Sequence, residues 1–490
     1  MKKIALSLAS IMTVTTLSAG TDGVNTNLNH GKDAKKLVES KKSVDDLSSM
    51  FSEGVTSGQV RFFYVDRNYA GFSDTHRNST AVGGHVKYET AAFKGLNFAS
   101  AFYTTNNISA LDYTDNNGGD GKKDPSLLGT GYDSYIVFGE LYLNYDMSDL
   151  GTKTSARLGY QRYDTPMIGS DDARMLPNTF EAYKFVNTDV TGLNLQVAHV
   201  NAIAYGTFGN IYTIDTSTGT VKAGGILGAT SGYAVNGAPT GSYINMGQAA
   251  VGKDTAGITN IQASYKLDNF QVKLSNDYAW DLYNTLYVDG GISWDCLLNS
   301  DIHPFVKAQV IKQNSVGGSY MQDSSLGGTG EVDSLYGAAK VGAKYAGFTA
   351  YVAYSQTSAN SSTDDSYKNA IVSQFGGMPA FTQGMVTRHQ FLAGTKSTKV
   401  AASYSFKELG TNLSVATYYA SFDMDENSGY GGARTATEPG FDVKYYPASV
   451  KNLELRFRGN FPREFAQNAA GEALGWDEYR LIANYNFSTK

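Results

Sequence analysis

The chain has 490 residues, a formal net charge of −6, 53 glycines, 9 prolines, 34 tyrosines, 24 phenylalanines and one cysteine. That mild acidity argues against a nucleic-acid partner, and the lone Cys296 rules out an intramolecular disulfide. Beyond the N-terminus no apolar run approaches the roughly 18–20 residues of a membrane helix, whereas 12% aromatic content with abundant Gly, Ser, Thr and Asn favours strands and turns. A chain this long would ordinarily split into several domains, but a single large β-barrel, whose strands show only alternating apolarity, also fits.

In chain order, Lys2 and Lys3 precede an apolar run from Ile4 to Leu17 that ends in Ser18-Ala19-Gly20. Basic start, apolar middle and small residues read as an export signal over residues 1–20. Its removal takes away two lysines and no acid, moving the charge from −6 to −8. Residues 21–57 are polar and read as a periplasmic segment, with one or two short helices or a flexible tail. Ser43 followed by Asp46 resembles a capping box, and Val44, Leu47 and Phe51 fall at helical spacing.

From Gly58 the pattern has period two. Val60, Phe62 and Tyr64 share a face; Gly84, Val86 and Tyr88 oppose His85, Lys87 and Glu89. Leu453, Leu455 and Phe457 oppose Glu454, Arg456 and Arg458. Eighteen such segments can be placed, near 58–66, 81–90, 95–105, 134–146, 153–161, 180–188, 192–204, 257–267, 269–280, 284–294, 303–313, 333–345, 347–357, 398–407, 411–423, 438–446, 451–460 and 476–487. An open sheet seldom grows so large, while a closed one has no edges. Short links such as Asp268 and Ala346 alternate with long ones such as Asn106–Asp133, Tyr205–Ala256 and Ser358–Lys399, as short periplasmic turns alternate with long external loops. A further candidate strand at Met385–Ala393 would break this parity and is assigned to the seventh loop. The expected architecture is therefore all-β: a transmembrane antiparallel up-and-down barrel over residues 58–487, with both termini periplasmic. In the last segment Tyr479, Leu481, Ala483, Tyr485 and Phe487 share one face, and its terminal aromatic suits the interfacial girdle and reading by the barrel-assembly machinery.

Outward apolar faces leave the alternate residues to line the lumen. On the last three strands and the first these include Arg61, Lys444, Arg456, Arg458 and Arg480, a cationic track, with Asp442, Glu454 and Glu478 also inward. Gly159–Ala182 follows the fifth segment and is the third external loop. It carries Pro166 and Pro177, and Arg162, Asp164, Asp171, Asp172 and Arg174 fall within thirteen residues. Folded inward, it would constrict the lumen and set its acids against the track. An exposed turn rich in Asp and Pro would carry the same residues.

Several stretches carry a likeness. Gly159-Tyr160-Gln161, Thr165-Pro166, Asp172-Ala173-Arg174-Met175-Leu176-Pro177 and Thr179-Phe180-Glu181 resemble the third-loop motif of OprD-type outer-membrane porins. The sequence GGHVKYETAAFKGLNFASAFYTTN from Gly83 resembles that family's second and third strands. MVTRHQFLAG from Met385 and RFRGNFPREF through EYRLIANYNF to Phe487 resemble its branch in Campylobacter-like bacteria. The resemblance implies an 18-stranded monomeric pore that can pack as a loose homotrimer, with the third and seventh loops constricting the lumen. It also implies a basic ladder, carried here onto Arg61, Lys444, Arg456, Arg458 and Arg480, and an acidic side carried onto Asp171 and Asp172.

The function this supports is a diffusion channel for ions and small polar or charged solutes in the outer membrane of a Gram-negative bacterium. Its partners would be outer-membrane lipid and the solutes in transit. An alternative is a surface adhesin or structural barrel acting through its long loops. An enzyme is not expected: the six histidines are scattered, no G-x-S-x-G elbow occurs, and no phosphate loop, redox motif or clustered metal ligands call for a cofactor or metal.

Overall fold

The computed structural model describes residues 43–489 except 72–75, 109–120, 130–131, 209–213, 216–219, 222–238, 324–329, 363–367, 378, 431 and 468–470. The expected signal at 1–20 and most of the 21–57 segment lie outside the described residues. Eighteen strands form the wall. They are β1 (Val55–Gly71), β2 (His76–Glu89), β3 (Leu96–Asn107), β4 (Tyr135–Asp146), β5 (Thr154–Gln161), β6 (Thr179–Asn187), β7 (Leu193–Ala204), β8 (Ile258–Leu267) and β9 (Phe270–Ala279). They continue as β10 (Tyr283–Ser293), β11 (His303–Ser315), β12 (Asp333–Tyr345), β13 (Phe348–Thr357), β14 (Lys396–Ser405), β15 (Leu413–Met424), β16 (Arg434–Tyr445), β17 (Leu453–Asn460) and β18 (Ala473–Ser488). Each is antiparallel to the next, and β18 returns to β1 in a ladder from Ser57↔Ser488 to Gly71↔Leu474. Closure leaves no edge with unpaired backbone groups, which hydrocarbon cannot solvate.

Every expected segment overlaps one of these strands. The alternation resolves as read: Val60, Val86, Leu455, Phe457, Leu481 and Tyr485 are exposed on the outer face, whereas Arg61, Glu454, Arg456, Arg458 and Arg480 are buried inside. Apolar outside and polar inside is the inverse of a water-soluble fold, and it is what a lipid-facing wall requires. The Met385–Ala393 stretch is loop with one 3₁₀ turn at His389–Phe391, so the parity holds.

Before β1 the chain is ordered differently from the expected capping box. Ser43–Val44 is a short strand parallel to Ala92–Phe93 in the first periplasmic turn, and helix α1 (Leu47–Ser52) is capped by Asp46, which accepts from the Ser49 amide at 2.9 Å. Pairing with the turn draws Ser43 into extended backbone and leaves the carboxylate at 46 as the cap. Met50 packs with Val44, Ala91 and Phe93, and the Ala91 amide donates to Met50 O at 3.0 Å.

Described parts of the second, fourth and seventh external loops turn inward. Helix α2 (Met246–Val251), in the fourth loop, is buried along most of its length, and the Gln374 amide of the seventh loop donates to Ala250 O at 3.2 Å. Leu127 and Leu128 of the second loop are fully buried against β1 to β4. The barrel interior is thus largely filled by folded-in loops, and what space remains is set by them.

Candidate pore constriction

The third loop begins where β5 loses its ladder. Gly159 has φ +123°, and a Cβ there would lie 2.2 Å from Leu141 O, so only glycine permits the close strand approach. Two residues later Gln161 donates from Nε2 to Ala182 O at 2.8 Å, tying the loop's two ends together. Met167 through Phe180 are then buried without a break. A surface loop is normally solvated; this one lies in the lumen. Its backbone is satisfied there: Asn178 N donates to Ser170 O at 2.6 Å, Asn178 Nδ2 to Gly169 O at 3.0 Å, and Gly206 N to Asn178 Oδ1 at 2.8 Å.

The seventh loop meets it edge to edge. Gly169 N donates to Phe375 O at 2.8 Å, and Ile168 bridges Phe375 and Gly376. A Cβ on Gly377 would fall 2.2 Å from the Met167 carbonyl carbon, so the two backbones are in direct contact. Inward polar side chains of the wall hold the seventh loop in turn. Gln313 exchanges two 2.7 Å bonds with Val372, Gln309 donates to Pro379 O at 2.7 Å, and Thr357 donates to Gln390 O at 2.6 Å. Glu438 on β16 is the strongest anchor, accepting from the amides of Met385 at 2.5 Å, Val386 at 3.3 Å and Thr387 at 2.7 Å.

The charges predicted for this region are brought together, though not in one row. Arg61 donates to Asp172 at 2.6 Å, to the carbonyls of Arg174 and Met175 at 2.7 and 3.1 Å, and to Asn484 at 2.9 Å. Asp172 also faces Arg162 at 3.5 Å. Arg174 reaches Glu478 at 3.0 Å; Arg480 pairs with the same carboxylate. Asp171 lies 3.6 Å from Arg388 of the seventh loop. Asp164 is exposed, accepts from Ser170 N at 2.8 Å and Ser170 Oγ at 3.2 Å, and acts electrostatically on Arg162, so it staples the loop beside that arginine. On the wall, Arg456 pairs with Asp442 at 2.8 Å and Arg458 with Asp442 at 3.5 Å.

The ladder's register is unusual. Lys444 stands directly across from Arg456, and Arg458 directly across from Arg480. Like charges in directly opposed positions destabilise a sheet; here Asp442 pairs with both Arg456 and Arg458, and Glu478 with Arg480, which offsets that cost. Burial pushes the Asp171 carboxyl up to about 7, against the pull of Arg388 and Arg174. Burial likewise drives the His389 imidazole down to about 4, with its Nε2 2.7 Å from Phe465 O.

Sequence reasoning missed Arg67, which joins Asp124 at 2.8 Å and Glu478 at 2.7 Å, as well as Arg388, Glu438 and helix α2. Arg67 and Glu438 could have been found, because both sit at inward parity. Arg388 lies in the MVTRHQFLAG stretch, but nothing in its spacing gives its partner. Chemically the third loop, the seventh loop and the facing wall bring together a set of fixed, mostly paired and buried charges. Among the described residues no group of three or more His, Cys, Asp or Glu could hold a metal ion.

A family model described as outer membrane porin, OprD family, matches residues 150–489. No curated protein sequence matches the chain. Three solved structures share its fold, each aligning over 90% of this chain and 100% of its own. Pseudomonas aeruginosa OpdK, solved with vanillate, is 16% identical with a TM-score of 0.66. Pseudomonas aeruginosa OccK9 (OpdG) is 18% identical with 0.67, and a BenF-like porin from Pseudomonas fluorescens Pf-5 is 17% identical with 0.65.

Proposed function

The chain belongs to the OprD family of outer-membrane porins, and from that premise we propose that its channel favours small organic anions, carboxylates foremost, over cations of the same size. The observation that carries this is the opposed placement of Lys444 with Arg456 and of Arg458 with Arg480 on one lumen wall. A sheet tolerates such pairs at a stability cost, and the return is a local positive potential on the permeation path. In this reading Arg61, Lys444, Arg456, Arg458 and Arg480 form the ladder, and Arg162, Asp171, Asp172 and Arg174 shape the narrowest part. Asp164 supports the loop from outside it. OpdK's vanillate is an aromatic carboxylate, which agrees with this solute class. A surface adhesin finds no support in the family match.

We also propose that residues 1–20 are a cleaved export signal, that 21–57 stay in the periplasm, and that β18 is the strand read by the barrel-assembly machinery. A homotrimer, and a place in the family's branch in Campylobacter-like bacteria, belong to the same reading. No step of it asks the protein for catalysis.

The test is liposome swelling with a panel of matched carboxylates, amines and sugars. Arg456→Ala with Arg458→Ala should slow carboxylate entry several-fold relative to sugar entry, because the pair contributes two of the positive charges on the path. Equal slowing of all three solute classes would mean that the two arginines act only on pore shape.

A further inference from the structure

The cationic track on β16 to β18 and β1 is matched by a second group of cations across the barrel, at the periplasmic mouth, that the proposed selectivity does not use. On the inner face of β8 to β12, Lys266 stands across from Gln271, Gln271 from Gly291, Gly291 from Lys307, and Lys307 from Lys340. One level nearer the periplasm, His303 faces Lys344 and Lys344 faces Thr349. Lys307 and Lys340 are again like charges in directly opposed positions, the arrangement that a stability-driven wall avoids.

The glycines in these rows shape the surface. A Cβ on Gly291 would lie 2.7 Å from Lys307 Cγ and 3.4 Å from its Cδ, so the Lys307 stem is laid across Gly291 toward Gln271 and Lys266. A Cβ on Gly342 would lie 2.6 Å from Phe305 Cζ, so the tip of the buried Phe305 ring abuts Gly342. Lys307 Nζ lies 5.9 Å from the centre of that ring. Between them opens a cavity of about 200 Å³, lined by Lys266, Lys307, Lys344, His303, Gln271 and Phe305 among others. Three acids limit its charge: Asp268 lines it, Asp295 holds His303 Nδ1 at 2.9 Å, and Asp289 of β10 acts on Lys307 and Lys340 from beyond the lining. Three lysines against one lining carboxylate still leave the cavity cationic.

We propose that this periplasmic vestibule is a second anion-binding site, separate from the constriction, that takes an organic anion with two or more carboxylates. Lys266, Lys307 and Lys344 supply charge from three strands and two levels of the wall, so separate carboxylates can meet separate lysines. An inorganic anion presents one compact charge to the same lysines. The inference rests on the porin reading only for how the ligand arrives, since binding is measured without transport.

The probe is benzene-1,3,5-tricarboxylate, titrated by calorimetry into detergent-solubilised protein at low ionic strength, with inorganic phosphate as comparison. Lys266→Gln with Lys307→Gln and Lys344→Gln should weaken tricarboxylate binding about tenfold or more. Gly291→Ala, which removes no charge but displaces the Lys307 stem, should weaken it several-fold and guards against misfolding of the triple variant. Phosphate should bind more weakly than the tricarboxylate. The proposal is overturned if the wild type does not bind, if the lysine variant binds as the wild type does, or if phosphate binds as tightly. It is overturned as well if affinity is lost in Arg456→Gln with Arg458→Gln and kept in the lysine variant, which would place binding at the constriction.

Discussion

At the scale of single residues, the informative side chains are those whose placement costs stability. Asp171 is buried, has φ +39°, and pairs with Arg388 at 3.6 Å. With its carboxyl pushed up to about 7 by burial, it is neutral below that pH and anionic above it. The sign for permeation follows: raising the pH through 7 adds a negative charge to the constriction, so anion preference falls. One added charge at the constriction, partly screened, changes a permeability ratio by about twofold. Reversal potentials measured at pH 6 and pH 8 should differ by that amount in the wild type, whereas Asp171→Asn should show no change. An identical pH response in Asp171→Asn would assign the effect to another group. Asp164 is exposed beside Arg162, whereas Asp172 is buried against Arg61 and Arg162. Sequence could not separate the two acids, because which one turns inward depends on how the loop closes on Ser170 and not on spacing.

At the scale of elements, the wall and the loops differ in how much of their geometry is local. Strands obey a strict period, so the parity of Leu455, Arg456, Phe457 and Arg458 assigns each side chain to lipid or lumen from the alternation alone. The same parity places Lys266, Lys307, Lys340 and Lys344 inside, but they are spread over three strands and form no cluster along the chain. Only the register of β8 to β12 brings them together. Loops have no such period. The docking of Ile168 on Phe375, the hold of Glu438 on residues 385–387, and the inward helix α2 arise from tertiary contact between segments far apart in sequence. A direct check on the loop contact is Gly377→Val. Its side chain would meet the Met167 backbone, and an overpacking cost of about 1–3 kcal/mol would fall on the joint between loops, leaving the barrel intact. The expected result is a larger, noisier conductance with weaker solute discrimination and unchanged heat-modifiable migration. Unchanged conductance would mean that the two loops do not set the narrowest point.

At the scale of the whole molecule, closure and filling are separate achievements. Closure needs only alternation and register, and it was legible along nearly the entire chain, down to the short turns at Asp268 and Ala346. Filling needs the lumen to accept folded loops, and it is reached by polar wall residues that satisfy loop backbones and by ion pairs that tie loops to strands. The result is a wide barrel whose interior is crossed by folded loops, with the proposed cationic track on its β16–β1 wall. That track would lower the potential energy of an anion on its path and raise that of a cation. The porin's selectivity therefore stands or falls on its sign.

The measurement that tests it most directly is the zero-current potential of single channels in a planar bilayer under an about tenfold KCl gradient. The purified, refolded protein should give discrete conductance steps with a potential of the sign set by chloride permeating faster than potassium. Steps with the cation-selective sign, or no steps from correctly refolded protein, would contradict it.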